Sequence, residues 1–185
     1  MSNHYQGPVS VKRKKQFAHY LNDDEEMVTF TTVSSHYLVH KFVFHFLAAS
    51  LITFPVFFLV QRVLSFDLNF GLGGALVLAL VYACQRYYFT KEGIQYILTN
   101  KRLIVQTGYF QVTLCSASYN KVTHIEVRQG VMDRLFYKYG KIIVGTAGSD
   151  QKSIVLDYIG QPVAFKNIME GLIASERQEY GHSSV

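Results

Sequence analysis

The sequence predicts an α+β membrane protein: an N-terminal two-helix transmembrane hairpin, then a small antiparallel β-sandwich or barrel capped by a C-terminal helix. Three observations predict it. The run Phe42–Val60 holds 19 residues without Asp, Glu, Lys or Arg, close to the ~20 that cross a hydrocarbon core. A second apolar run, Phe70–Cys84, follows within ten residues. From about Tyr88 the pattern changes to short alternating segments at regular spacing, the signature of a sandwich or barrel.

Composition agrees. Of 185 residues 49% are hydrophobic and 17% charged, and Lys+Arg 18 against Asp+Glu 13 leaves a net charge of +5. Three prolines and no repeating unit exclude low-complexity and collagen-like chains. Two cysteines, Cys84 and Cys115, exclude a disulfide-rich scaffold. About forty residues precede the first apolar run, so it is read as a span and not as a cleaved signal.

The expected organisation is a basic and acidic cytoplasmic segment at 1–37, a transmembrane hairpin at 38–88 (spans near 40–61 and 66–87), a β-domain at 89–175 and a polar tail at 176–185. Lys and Arg bias sets the orientation: Lys12, Arg13, Lys14, Lys15 and Lys41 precede the first span, Arg86, Lys91, Lys101 and Arg102 follow the second, and the connecting loop holds Arg62 alone. Both termini are therefore placed in the cytoplasm, in a multi-pass protein of the cell membrane. Gly71, Ala75, Ala79 and Ala83 recur at i+4, a small-residue stripe along which helices approach closely. It packs the hairpin or, alternatively, drives homo-oligomerisation. Pro55 kinks the first helix. His45 lies inside the first span and needs a polar partner there.

In the domain, Ile94, Tyr96 and Leu98 alternate before an Asn100-Lys101 turn, and Arg102–Gln106 returns as a hairpin partner. Phe110–Ser116 and Val122–Gln129 are the next strands, with Ile125 and Val127 on one face of the second. Lys141–Thr146 and Lys152–Asp157 flank a Gly148-Ser149-Asp150 turn. Pro162 opens a helix whose apolar face is Phe165, Ile168, Met169, Leu172 and Ile173. After Ser175 the tail is polar and expected to fray.

A series of motifs carries a resemblance. Asp24-Glu25-Glu26 precedes His36 and the two-helix anchor; then come Tyr96-Ile-Leu-Thr-Asn-Lys-Arg-Leu-Ile104, Tyr119-Asn-Lys-Val-Thr-His-Ile-Glu-Val-Arg-Gln129, Val131-Met-Asp-Arg-Leu-Phe136 and Gly140-Lys-Ile-Ile-Val144 with Thr146-Ala-Gly148. Over roughly residues 20–173 this resembles the bacterial pleckstrin-homology (PH)-like membrane proteins. The resemblance implies a bent antiparallel sandwich of about seven strands closed by a C-terminal helix, and it implies no reaction. One departure is Tyr137-Lys138, where many relatives carry glycine.

No GxSxG, HExxH, CxxC or GxxxxGK motif is present, so the chain reads as a non-enzyme without cofactor. Cys115 reads as a buried strand cysteine. His36 and His40 have a metal-compatible spacing, but their place at a helix start fits interfacial residues better, and no metal is expected. Nucleic acid is not expected, because no recognition module accompanies the basic run. The residues assigned to anionic lipid headgroups or the membrane surface are Lys12, Arg13, Lys14, Lys15, Lys101, Arg102, Arg128 and Arg134; each gains about 1 kcal/mol near an anionic leaflet. The expected function is a membrane-anchored binding or scaffold protein acting through protein or lipid-headgroup contacts. The alternative is a small oligomeric channel or transporter component, with His45 and the small-residue stripe lining its path.

Overall fold

The computed structural model describes residues 10–22, 24–64, 68–131, 133, 138–147 and 153–182. The chain forms two compact units: Ser35–Glu92 is one, and the residues up to Ser34 together with those from Gly93 onward are the other.

The first unit is two long helices, α2 (Ser35–Leu64) and α3 (Leu68–Gly93). Both are long and apolar enough to cross a membrane. They pack antiparallel along the small-residue stripe: Ala75, Ala79 and Ala83 are fully buried, and the Thr53 hydroxyl donates to the Ala75 carbonyl at 3.3 Å. A Cβ on Gly74 would stand 2.9 Å from Cε1 of Phe57, so the Phe57 ring packs directly over the glycine and would have to shift for any larger residue. Phe42 meets Tyr87 edge-on at 6.3 Å, which extends the seam to the other end of the pair.

The second unit is a two-sheet sandwich, with seven strands among the described residues. One sheet has the order β1-β2-β3-β4 and the other β5-β6-β7, all antiparallel. The strands are β1 (Met27–Thr32), β2 (Ile94–Thr99), β3 (Arg102–Thr107), β4 (Thr113–Ser118), β5 (Val122–Arg128), β6 (Tyr139–Thr146) and β7 (Ile154–Gly160). Tyr96, Leu98, Leu103 and Val105 point inward to meet Ile142, Val144 and Leu156 of the opposite sheet, and α4 (Pro162–His182) closes the core with Phe165, Met169 and Ile173.

The structure differs from the sequence expectation in four places. First, β1 lies ahead of the two helices, within the segment 1–37 expected to stand apart, and pairs with β2 (Thr32 opposite Gln95). The helical hairpin is thus an insertion between neighbouring strands of one sheet. Second, the outer face of that sheet is covered: α1 (Val11–Phe17) and the 3-10 turn Ala18–Tyr20 place Phe17, Tyr20 and Leu21 against Met27, Phe30, Ile97 and Ile104. This explains why β2 is buried on both faces. Third, α4 continues past Ser175 to His182, with Glu176 buried and Arg177 donating to the Val122 carbonyl at 3.0 Å. Fourth, Cys115 is exposed, because β4 is an edge strand and buries only Ala117. The Gly148-Ser149-Asp150 turn lies outside the described residues. At the departure noted in the sequence, Lys138 takes φ 50°, the left-handed conformation that glycine adopts without steric cost.

Candidate functional site

Strand register gives the sandwich two distinct ends. Thr32, Ile94, Thr107 and Thr113 share one end of the first sheet. Val33 bridges to Ile159, so Tyr139, Gly160 and Arg128 of the second sheet lie at that same end. The chain leaves for α2 at Ser35 and returns from α3 at Gly93, both within three residues of this end. The opposite end of the first sheet carries Met27, Thr99, Arg102 and Ser118, with the Asn100-Lys101 turn at its tip. Six-residue strands rising ~3.3 Å per residue separate the two ends by roughly 20 Å.

At the tip of the β2–β3 hairpin the side chains form a closed polar cluster. Arg102 holds Glu25 with two parallel bonds, Nε to Oε1 at 2.8 Å and Nη2 to Oε2 at 2.8 Å. The Thr99 hydroxyl donates to Glu25 Oε1 at 2.7 Å and accepts from the Arg102 N–H at 3.0 Å. The Asn22 N–H reaches Oε2 at 3.2 Å, and Arg102 Nη2 also donates to the Tyr20 carbonyl at 3.1 Å. The Glu25 side chain is only 1% exposed. Burial pushes its carboxyl up, but the hydrogen bonds from Arg102, Thr99 and Asn22, with the Arg102 charge, outweigh that and hold it below the ordinary carboxylate range. The same bonds from Glu25 raise Arg102. Asn100 adds backbone bonding: its Oδ1 accepts from the Glu26 N–H at 3.0 Å, and its own N–H donates to the Glu26 carbonyl at 3.1 Å. The cluster fastens the N-terminal segment across the first sheet.

The residues expected at a lipid surface are therefore divided. Lys14 and Lys15 are exposed on α1, and Lys101 is exposed at the hairpin tip. Arg13 lies over the Phe30 ring, 4.9 Å from its centroid, and Arg102 is occupied by Glu25. Arg128 is exposed at the helix-bearing end of the sandwich and pairs with Glu126 at 2.8 Å. Lys12 belongs to α1, and Arg134 lies outside the described residues. In the helical unit, Gly71 is buried with the alanine stripe. The His45 ring meets Tyr82 edge-on at 6.0 Å, and its Nε2 is buried without a hydrogen bond. Ser50, about a turn and a half further along α2, donates to the Phe46 carbonyl of its own helix at 2.8 Å. His36 and His40 stand exposed at the start of α2.

Sequence reasoning passed over Glu25 and Thr99 as individuals. Glu25 is one of four consecutive acids, Asp23 to Glu26, and nothing in the run separates the buried member from its neighbours. Its signal appears only once β1 is placed beside β2.

The family model described as "Bacterial PH domain" matches residues 43–176. Among solved structures, the chain is similar to a DUF1696 family protein with a pleckstrin-homology domain from Shewanella loihica PV-4, at 11% identity over 88% of this chain and 91% of that one, TM-score 0.47. It is also similar to a pleckstrin homology domain from Shewanella amazonensis SB2B, at 12% identity over 90% of this chain and 89% of that one, TM-score 0.48. Comparison with curated proteins gives no match. The family match spans well over half of the chain, from within α2 through the strands to α4, and on it the chain belongs to the bacterial PH domain family.

Proposed function

We propose that this protein is a membrane-anchored PH-like binding module. In this reading α2 and α3 cross the cell membrane as a hairpin, both termini are cytoplasmic, and the sandwich binds lipid headgroups or a protein partner at the inner face. The observation that carries it is the apolar surface of α2: Leu47, Leu51, Ile52, Phe58, Leu59 and Val63 are all exposed on one helix. A contiguous apolar surface of that extent marks a membrane or partner interface. The connections support a binding module held close to the bilayer. Only Val33 and Ser34 separate β1 from α2, and none separates α3 from β2, so the domain is tethered twice and its local concentration at the surface is high.

Lys14 and Lys15 on the N-terminal segment are exposed cations offered to anionic headgroups, with Arg128 at the helix-bearing end; Lys101, at the opposite end of the sheet, is not among them. Arg13 and Arg102 are assigned instead to holding the N-terminal segment. A channel is not favoured by the same observations, because the small-residue stripe that would line its path is buried between the two helices of one chain.

Alkaline extraction of membranes, with a reporter active only in the cytoplasm fused to each terminus in turn, tests the anchor. Retention in the membrane with both reporters active is expected. Release at alkaline pH, or an inactive reporter at either end, overturns it.

A further inference from the structure

We propose that the β3–β4 loop, Gly108–Val112, is a second membrane contact, with Tyr109 and Phe110 seated in the interfacial layer of the bilayer that α2 and α3 cross. The proposal rests on the reading of those helices as spans. Within the sandwich the loop stands at the helix-bearing end. The Gly108 N–H donates to the carbonyl of Gly93 at 2.7 Å, and Gly93 is the residue on which α3 ends.

The depth of Gly93 follows from α3, which ends on it. Tyr87, Tyr88 and Phe89 suit the interfacial belt. Gly93 lies four residues further, about 6 Å at 1.5 Å per residue. The headgroup layer is about 5–8 Å thick on each side. With Phe89 at the inner boundary of that layer, Gly93, and with it Gly108, stands toward its outer side, within reach of the rings of the loop.

The loop is composed for that place. From Thr107 to Thr113 it has no charged residue. Phe110 is 86% exposed and Tyr109 52%, their rings meeting edge-on at 5.2 Å, and Val112 beside them is also exposed. Isolated exposed apolar side chains are ordinary, but three within four positions on one turn form a patch. The turn is preset rather than loose. Gly108 has φ +97°, and a Cβ there would run into the carbonyl oxygen of Gln111, so glycine fixes the conformation that presents the rings. The other end of the same sheet presents Asn100 and Lys101. In this sheet the aromatic loop thus stands at the end where the chain enters and leaves the helices, and the Asn100-Lys101 tip at the other.

The chain has no tryptophan, so a single introduced indole reports without background. Phe110→Trp, Leu51→Trp and Lys101→Trp are each made in the full chain and reconstituted into phosphatidylcholine vesicles carrying a quencher either near the headgroup or deep in the acyl chain. Leu51→Trp is expected to be quenched by the deep label. Phe110→Trp is expected to lose about half its emission to the shallow label and less to the deep one, as an interfacial ring would. Lys101→Trp is expected to be unaffected. If Leu51→Trp is quenched and Phe110→Trp is not, the loop contact is overturned and the anchor stands. If Phe110→Trp and Lys101→Trp are quenched alike, the end-specific contact is overturned. If Leu51→Trp is unquenched by either label, the spanning reading fails and the loop contact fails with it.

Discussion

The Tyr96 hydroxyl donates to the carbonyl of Asp157 at 2.9 Å and accepts from the N–H of the same residue at 2.8 Å, joining the two sheets of the sandwich through one side chain. The position is specific. Pairing between β6 and β7 shifts register between Gly140 and Ile142, leaving Asp157 and Tyr158 opposite Lys141 alone, and Tyr158 takes φ 59°. A bulge of this kind takes backbone groups out of the ladder. Tyr96 supplies both missing partners for Asp157. Burial, ahead of the neighbouring charges, raises the phenol well above its ordinary pKa, so it remains a donor throughout the physiological range.

Tyr96→Phe should therefore destabilise the sandwich disproportionately for the loss of one oxygen. It leaves a backbone donor and acceptor of Asp157 without their partner, at about 1–3 kcal/mol for such a group. For a chain of this size that is about 2–4 °C of melting temperature per kcal/mol. Thermal unfolding of the reconstituted variant measures it; an unchanged midpoint would mean that water replaces the hydroxyl.

Glu25 makes stability pH-dependent. Its folded pKa is depressed below the ordinary value of 4.5, so its contribution is present above the unfolded pKa and is lost as pH falls through the folded one. Glu25→Gln should be less stable than the parent at neutral pH, on the order of 3 kcal/mol because Arg102 is left beside a neutral group. It should also lose less than the parent between pH 5 and pH 3 (roughly, the window of an ordinary to depressed carboxylate). Denaturant unfolding across that range checks both effects. A parallel pH dependence in the two proteins would place the acid sensitivity elsewhere.

The strands after the helices could be recognised because each alternates and is bounded by its own turn signal, as Ile94–Thr99 and Arg102–Thr107 are by Asn100-Lys101. β1 carried no comparable signal. Its partner lies across the inserted helices, Thr32 opposite Gln95, and local periodicity reports nothing of a neighbour that far along the chain. The same gap hid the role of Arg102. A basic residue beside a hairpin tip looks like a solvent-facing charge until the residue that neutralises it, Glu25, is brought there by β1. The C-terminal helix was visible through Phe165, Met169 and Ile173, but its last turns were not, since Glu176 and Arg177 read as solvent residues and are held by tertiary contact.

Gly108→Ala tests whether the β3–β4 turn is preset. A left-handed φ costs a non-glycine residue about 1–3 kcal/mol, and here the Gln111 carbonyl adds a direct clash. The turn should open at the Gly93 end of the hairpin, and faster amide exchange at Gly93, Thr107 and Val112 would register it, with exchange at Leu98 and Leu103 unchanged. Exchange left at the parent rate in all of them would show that the turn has another conformation at no cost.

The helix seam makes the last prediction. Ala79 is fully buried between α2 and α3, whereas Val77 of the same helix is exposed. Ala79→Leu adds three carbons where close approach leaves no room, and overpacking of this kind costs about 1–3 kcal/mol. Val77→Leu adds one carbon on the open face and should cost almost nothing. Protease resistance of the reconstituted protein, followed with its mass in detergent, separates the two uses of a small-residue stripe. If the stripe packs the two helices of one chain, Ala79→Leu lowers resistance at unchanged mass. If it packs helices of different chains, Ala79→Leu dissociates an oligomer and leaves each chain as resistant as before. The hydrogen bond from Thr53 to the Ala75 carbonyl, on the same stripe one turn away, favours the first outcome.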